Sequence, residues 1–119
     1  MRIIAIVLTA AFSCAAVSGA AWAHHGWAPY DASKQRKFTG TIADLKWEMP
    51  HVLLGVSSGG QRYEFQLTYP ARMIDRGLVQ ASLTAGKTVT VEAQPNKEKA
   101  NDWQAVTVTV DGYEYSMLR

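Results

Sequence analysis

The sequence has little cysteine and no clustered charge, and both absences limit what the protein can be. Its single cysteine, Cys14, lies in an apolar N-terminal segment, so the rest of the chain cannot form a disulfide. Its 12 Lys and Arg side chains are scattered among 10 Asp and Glu side chains, whereas binding to a polyanion calls for a clustered basic face. We therefore expect no nucleic acid partner.

The familiar patterns of hydrolytic and phosphate-binding sites are missing as well. The sequence has no nucleophile beside a base, no marked pair of carboxylates and no glycine-rich phosphate loop. Its run Ser57-Ser58-Gly59-Gly60 is typical of a tight turn. These patterns therefore give no indication of hydrolytic activity.

The N-terminal apolar segment has the pattern of a cleaved signal peptide over residues 1–23. The basic Arg2 precedes an apolar run over 3–17, and the small residues of Ala21-Trp22-Ala23 suit signal peptidase. Cleavage at this point makes His24 the first residue of the mature protein. We predict export to the periplasm or the exterior, with no membrane association after cleavage.

Two other interpretations of this segment fit less well. A retained membrane helix needs about 20 apolar residues and usually a basic flank, whereas His24-His25-Gly26 follows here. A lipoprotein would need Cys14 as the acylated residue, yet Cys14 lies inside the apolar run, behind Phe12-Ser13.

The remaining chain is expected to form an N-terminal arm over 24–36 and one mainly β domain over 37–119. Runs of β-branched and aromatic residues predict strands over 38–47, 51–56, 62–67, 89–93, 105–110 and, as an optional sixth, 113–118. Pro70 and Gly77 are typical of the two ends of a short helix. Three strands, a helix and further strands follow the order of the five-stranded OB-fold barrel, while small β-barrels of another topology stay open.

Two details of these strands lead to separate predictions. Gly40 and the change of phase between Ile42 and Leu45 indicate a bend or bulge in the first strand. In the fifth strand, strict alternation over 105–110 predicts that its three valines share one face.

Histidine is rare, and all three histidines are candidates to bind a metal ion: His24, His25 and His51. An unblocked His24 would offer its α-amine and a ring nitrogen to one ion, and a third nitrogen would come from His25 or His51. Such nitrogens suit Cu(II), Ni(II) or Zn(II), and Cu(II) heads the affinity order. We predict a copper site, with zinc or nickel as alternatives. The plainer interpretation is a solvated terminus and, at His51, a hydrogen-bonded histidine at a strand end.

Sulfur and aromatic side chains could add to such a site or form another. Met49 and Met117 could serve as thioether ligands that favour Cu(I), although methionine often fills gaps in a core. Trp27 and Tyr30 lie in the arm and are expected to pin it to the barrel. The other aromatic residues are expected mostly in the core.

Three short motifs cover the arm and the first hairpin: His24-His25-Gly26-Trp27-Ala28-Pro29-Tyr30-Asp31, then Gly40-Thr41-Ile42, then Trp47-Glu48-Met49-Pro50-His51. Together with segments over 72–77 and 83–91, they resemble a family of small exported bacterial proteins that is catalogued as a domain of unknown function. The family's paired histidines fall on His24 and His25, and its Pro-His falls on Pro50 and His51. Met49 stands where the family usually has Asn. The resemblance implies export and an OB-type barrel, and it implies no established activity.

Two classes of function are therefore predicted, with a metal ion or a small ligand as the partner. The first is a periplasmic copper-binding protein that uses His24, His51 and also His25. The alternative is a metal-free OB-type module that receives a small molecule, a glycan or a partner protein on a barrel face with Trp47 and Trp103. An enzyme activity would be confined to copper redox chemistry at the same histidines.

Overall fold

Six strands form one sheet in a computed structural model that describes residues 29–118. The strands are β1 Arg36–Lys46, β2 Leu53–Ser58, β3 Gln61–Gln66, β4 Thr88–Pro95, β5 Trp103–Val110 and β6 Tyr113–Ser116. A short helix, α1 Pro70–Asp75, follows β3, and short 3₁₀ turns cover Ala32–Lys34 and Gln80–Leu83. In this part of the chain, no helix has the length and apolar character needed to cross a membrane.

The first five strands close into a barrel. The sheet order is β3-β2-β1-β4-β5-β6, and β3 also pairs in parallel with β5 through Phe65–Trp103 and Gln66–Gln104. Strand β6 extends the sheet beyond the barrel, next to β5. A five-stranded barrel with a helix between its third and fourth strands is the OB-type architecture. The predicted mainly β, OB-like barrel is thus confirmed.

Helix α1 forms where its sequence predicts it. Pro70 occupies the first turn, where its missing N–H costs no hydrogen bond, and Gly77 has the positive φ of 87° that ends a helix without strain. Met73 is fully buried, whereas its neighbour Ile74 is 54% exposed. Only one of the two apolar residues therefore anchors the helix to the barrel.

The predicted irregularity in β1 is a bulge. Ile42 pairs with Val56, but Asp44 pairs with Gly55, so the register shifts by one residue between them. The shift turns Leu45 back toward the core, where it packs beside buried residues, and it explains why the apolar residues of β1 change phase.

A second bulge makes the prediction for β5 wrong at one valine. Glu92 pairs with Thr107 and Ala93 pairs with Ala105, so Val106 has no partner of its own in β4. The extra residue shifts the alternation, and Ala105 takes the inward place while Val106 is only half-buried. Pairing continues past the bulge, which is why β4 extends to Pro95 instead of ending at residue 93.

The core lies inside the barrel and beneath α1. It is made of aliphatic and aromatic side chains from every strand of the barrel, together with Met117, which follows β6 and is 1% exposed. The largest fully buried side chains are Phe65, Ile42, Leu54, Leu67, Met73, Leu78, Leu83 and Met117.

Candidate functional site

His51 lies in the connection between β1 and β2, directly after Pro50. The second strand was predicted to start at His51, but it begins at Leu53. Between them, Val52 is fully buried and exchanges backbone hydrogen bonds with the segment after β3: its N–H donates to the Thr68 carbonyl at 3.1 Å, and its carbonyl accepts from the Leu67 N–H at 2.8 Å. His51 is therefore held beside the C-terminal end of β3.

The ring of His51 has one nitrogen that is buried without a hydrogen-bond partner among residues 29–118. The atom is Nδ1, and the residue as a whole is half-buried. An unsatisfied buried polar atom costs about 1–3 kcal/mol. A neutral imidazole carries one nitrogen with a free lone pair, which accepts a hydrogen bond or binds a metal ion. The plainer interpretation of His51 is a hydrogen-bonded histidine at a strand end. Within these residues, its Nδ1 atom has no such bond.

Tyr30 fixes the arm to the barrel, as predicted. The residue is 8% exposed, and its hydroxyl oxygen lies 2.9 Å from both Gln66 Oε1 and Asp102 Oδ1. Its neighbours add backbone bonds, since Asp31 N–H donates to the Pro95 carbonyl at 2.8 Å. Trp27, predicted for the same role, lies outside the described residues.

The electrostatics of Tyr30 follow from this position. Burial, and then the hydrogen bond to Asp102 and the charge of its carboxylate, raise the pKa of the Tyr30 phenol well above its usual range. The phenol has a single proton, and both contacted oxygens can only accept. The carboxylate is the stronger acceptor, so the proton belongs on the bond to Asp102 and Gln66 Oε1 is a polar contact. Neutral Tyr30 is thus the form that the site favours.

The Tyr30 contact places residue 30 at the end of β3 that lies beside the start of β2. Gln66, which meets the Tyr30 hydroxyl, pairs with Leu53 across β2 and β3, and His51 precedes Leu53 by two residues. His24 precedes Tyr30 by six residues, and an extended chain spans roughly 3.3–3.6 Å per residue. A segment of that length spans at most about 20 Å when fully extended.

The predicted metal ligands divide between the two parts of the chain. His51 is placed as above, whereas His24 and His25 lie outside the described residues. Within residues 29–118, no three His, Cys, Asp or Glu side chains are grouped as metal ligands. Met117 is a core residue, while Met49, two residues before His51, is 70% exposed.

Two residues of this region have no signal in the sequence. Gln66 and Asp102 contact the Tyr30 hydroxyl. Gln104 holds Gln66 in place, because its Nε2 donates to the Gln66 carbonyl at 2.9 Å. Gln66 ends a strand of alternating residues, and Asp102 ends a polar loop. Only tertiary contact distinguishes them from other polar residues.

The chain matches the sequence profile of a family of unknown function, DUF6152, over residues 11–104. The chain belongs to DUF6152. The matched range includes both the arm and most of the barrel, so the DUF6152 profile covers Tyr30, His51 and Asp102 alike. No curated protein shows significant sequence similarity to the chain.

Solved structures share the fold of this DUF6152 chain. The crystal structure of TiaS in complex with a tRNA and ATP is 12% identical, with a TM-score of 0.52 over 68% of this chain and 19% of that chain. A ZRD-deleted TiaS mutant in complex with agmatine is 14% identical, with a TM-score of 0.53 over 70% of this chain and 26% of that chain. The DUF6152 chain thus spans only a minor part of these proteins, and at such identities the similarity concerns the fold alone.

Proposed function

We propose that this protein is exported and binds copper through His51 and the mature N-terminal His24, with His25 as a further ligand. The observation that carries the proposal is the His51 Nδ1 atom, which is buried and has no hydrogen-bond partner among residues 29–118. A metal ion would use the lone pair that is otherwise buried at a cost.

Cleavage after Ala23 would supply the rest of the site. It frees an α-amine on His24, whose pKa is about 7.7–8.0 in model compounds, and the amine and ring nitrogen of one residue can hold the same ion. Nitrogen ligands of this kind bind Cu(II) more tightly than Ni(II) or Zn(II). The contact of Tyr30 with Gln66, which pairs with Leu53 at the start of β2, supports the return of the arm to His51.

A Cu(II) titration of the mature protein tests the terminal amine directly. The comparison protein has the α-amine of His24 acetylated, which keeps both histidines and removes the amine as a ligand. We expect at least about a tenfold loss of affinity in the acetylated form, because a ligand of the chelate is removed. Equal affinities would refute a ligand role for the His24 amine.

Substitution of His51 tests the other half of the site. His51→Gln keeps a polar side chain of similar size and removes the imidazole, and we expect a loss of Cu(II) affinity similar to that of the acetylated form. Lys46→Gln is the matched control, because Lys46 is exposed at the end of β1 and is not among the candidate ligands. Circular dichroism of each variant checks that the barrel is intact.

The metal-free binding module is the competing proposal. Trp47, Trp103 and Tyr115 pack against the core while remaining partly exposed, which is compatible with a ligand surface at the edge of the barrel. Cu(II) binding that is unchanged in His51→Gln would favour this alternative. Copper redox chemistry requires a bound copper ion. The Cu(II) titration of the mature protein is therefore the first test of that activity as well.

A further inference from the structure

Three aromatic side chains meet at one mouth of the barrel, where β1 begins. They are Phe38, Tyr63 and Trp103, hereafter the aromatic mouth. The ring centroid of Phe38 lies 4.6 Å from that of Tyr63 and 4.8 Å from that of Trp103. Phe38 is buried, whereas Tyr63 and Trp103 are half-buried, so part of each of these two residues reaches the solvent.

The guanidinium of Arg36 lies over this mouth. Its Cζ atom is 4.7 Å from the ring centroid of Phe38 and 5.6 Å from that of Trp103. A cation–π contact of this kind leaves the five N–H donors of the guanidinium available for hydrogen bonds. The contact therefore orients the side chain without using its hydrogen-bonding capacity.

Arg36 also has no anionic partner among residues 29–118. Its position differs from that of Arg62, which makes ion pairs with Asp44 at 2.8 Å and Glu64 at 3.5 Å. The adjacent Lys37 pairs with Glu92 at 3.6 Å. Arg36 makes no ion pair and no side-chain hydrogen bond in this range, so its donor edge is open.

We propose that the aromatic mouth binds a small aromatic carboxylate. The planar fork of Arg36 matches a carboxylate through two parallel N–H···O bonds, and the ring of the ligand would pack against the exposed surface of Trp103 and Tyr63. Because Arg36 is already held over the rings, binding costs less side-chain freedom than at a mobile arginine. The inference is independent of the copper site, and it gives the metal-free alternative a ligand class.

The test is an NMR titration of the protein expressed from the full chain and stripped of metal on a chelating resin. Benzoate is the probe and benzamide is its uncharged counterpart of the same shape. We expect benzoate to shift the Trp103 indole N–H and Arg36 Nε–H signals in a saturable way, about tenfold more tightly than benzamide. Equal binding of the two, or no saturable shift, would overturn the proposal. If inorganic phosphate binds as tightly as benzoate, the ring of the ligand adds nothing to binding, and the proposal of an aromatic ligand is refuted.

Variants of the two adjacent cations separate this site from general charge attraction. We expect Arg36→Gln to weaken benzoate at least about tenfold, and Arg36→Lys to retain part of the affinity because it keeps the charge but loses the fork. Lys37→Gln is the matched control and should bind as the parent does. A loss in Lys37→Gln equal to that in Arg36→Gln contradicts the site. Since no metal is present, neither result bears on copper binding.

Discussion

Removal of one hydroxyl, by Tyr30→Phe, tests how the arm is held on the barrel. The ring stays, so its burial is conserved, and only the contacts at 2.9 Å with Gln66 and Asp102 are lost. Asp102 Oδ2 keeps the bond from Asn96 Nδ2 at 3.0 Å, but Oδ1 loses its donor. A hydrogen bond to a charged group is worth about 1.5–3 kcal/mol. We expect the free energy of unfolding to fall by about 2 kcal/mol and Tm to fall by roughly 10 °C.

The assay is urea unfolding followed by tryptophan fluorescence, with thermal unfolding by circular dichroism as the second probe. Tyr113→Phe is the control, because Tyr113 is 69% exposed and its hydroxyl makes no hydrogen bond within residues 29–118. It should change stability by less than about 0.5 kcal/mol. If Tyr30→Phe behaves like Tyr113→Phe, the Tyr30 contacts do not hold the arm as we describe.

The same variant predicts a change in alkaline stability. The folded-state pKa of Tyr30 is raised by burial and by Asp102, whereas in the unfolded chain it is about 10. The stabilisation is therefore complete below pH 10 and is lost as pH rises from there toward the folded pKa, at up to about 1.4 kcal/mol per pH unit. Tyr30→Phe lacks this contribution, so its stability should fall less steeply above pH 10. Parallel curves for the two proteins would contradict the raised pKa.

Three further substitutions test packing. In Gly40→Ala the new Cβ would lie 2.1 Å from the Ser57 carbonyl oxygen, so β1 and β2 must separate, and we expect a loss of about 3 kcal/mol or more in urea unfolding. Gly55→Ala is the contrast, because its new Cβ would meet the side chains of Asp44 and Arg62, and these can move aside. We expect this substitution to lower the free energy of unfolding by about 1 kcal/mol. Met117→Ala removes a core side chain at 1% exposure and should cost about 2–5 kcal/mol, and a loss below about 1 kcal/mol would refute its place in the core.

Local sequence signals predicted the elements well where one residue decides the backbone. Pro70 and Gly77 fix the ends of α1 because one has no N–H to lose and the other adopts positive φ. The bulge in β1 was visible because Ile42 and Leu45 are both apolar and out of phase. The bulge in β5 was not, because Val106 continues a perfect local alternation and only pairing with β4 makes it the extra residue.

The candidate site was predictable only in part, for a similar reason. His51 stands out in the sequence because histidine is rare, and Tyr30 because it is an aromatic residue in a polar arm. The partners of Tyr30 are common polar residues that come together through β3, the loop after β4 and the closure of the barrel. The lack of an ion pair at Arg36 within residues 29–118 could not be predicted either, because the sequence does not show which Lys and Arg side chains lie beside a carboxylate.

The parallel pairing of β3 with β5 has a dynamic consequence. In the described residues this seam contains two residue pairs, whereas β1 and β4 share six, so its hydrogen bonds should open first in local fluctuations and exchange their amide hydrogens earliest. The Tyr30 hydroxyl contacts Gln66, one of the residues in the seam, and donates to Asp102, which directly precedes β5. The arm therefore bridges the weakest joint of the barrel, and a ligand that holds the arm in place would slow the opening of that joint.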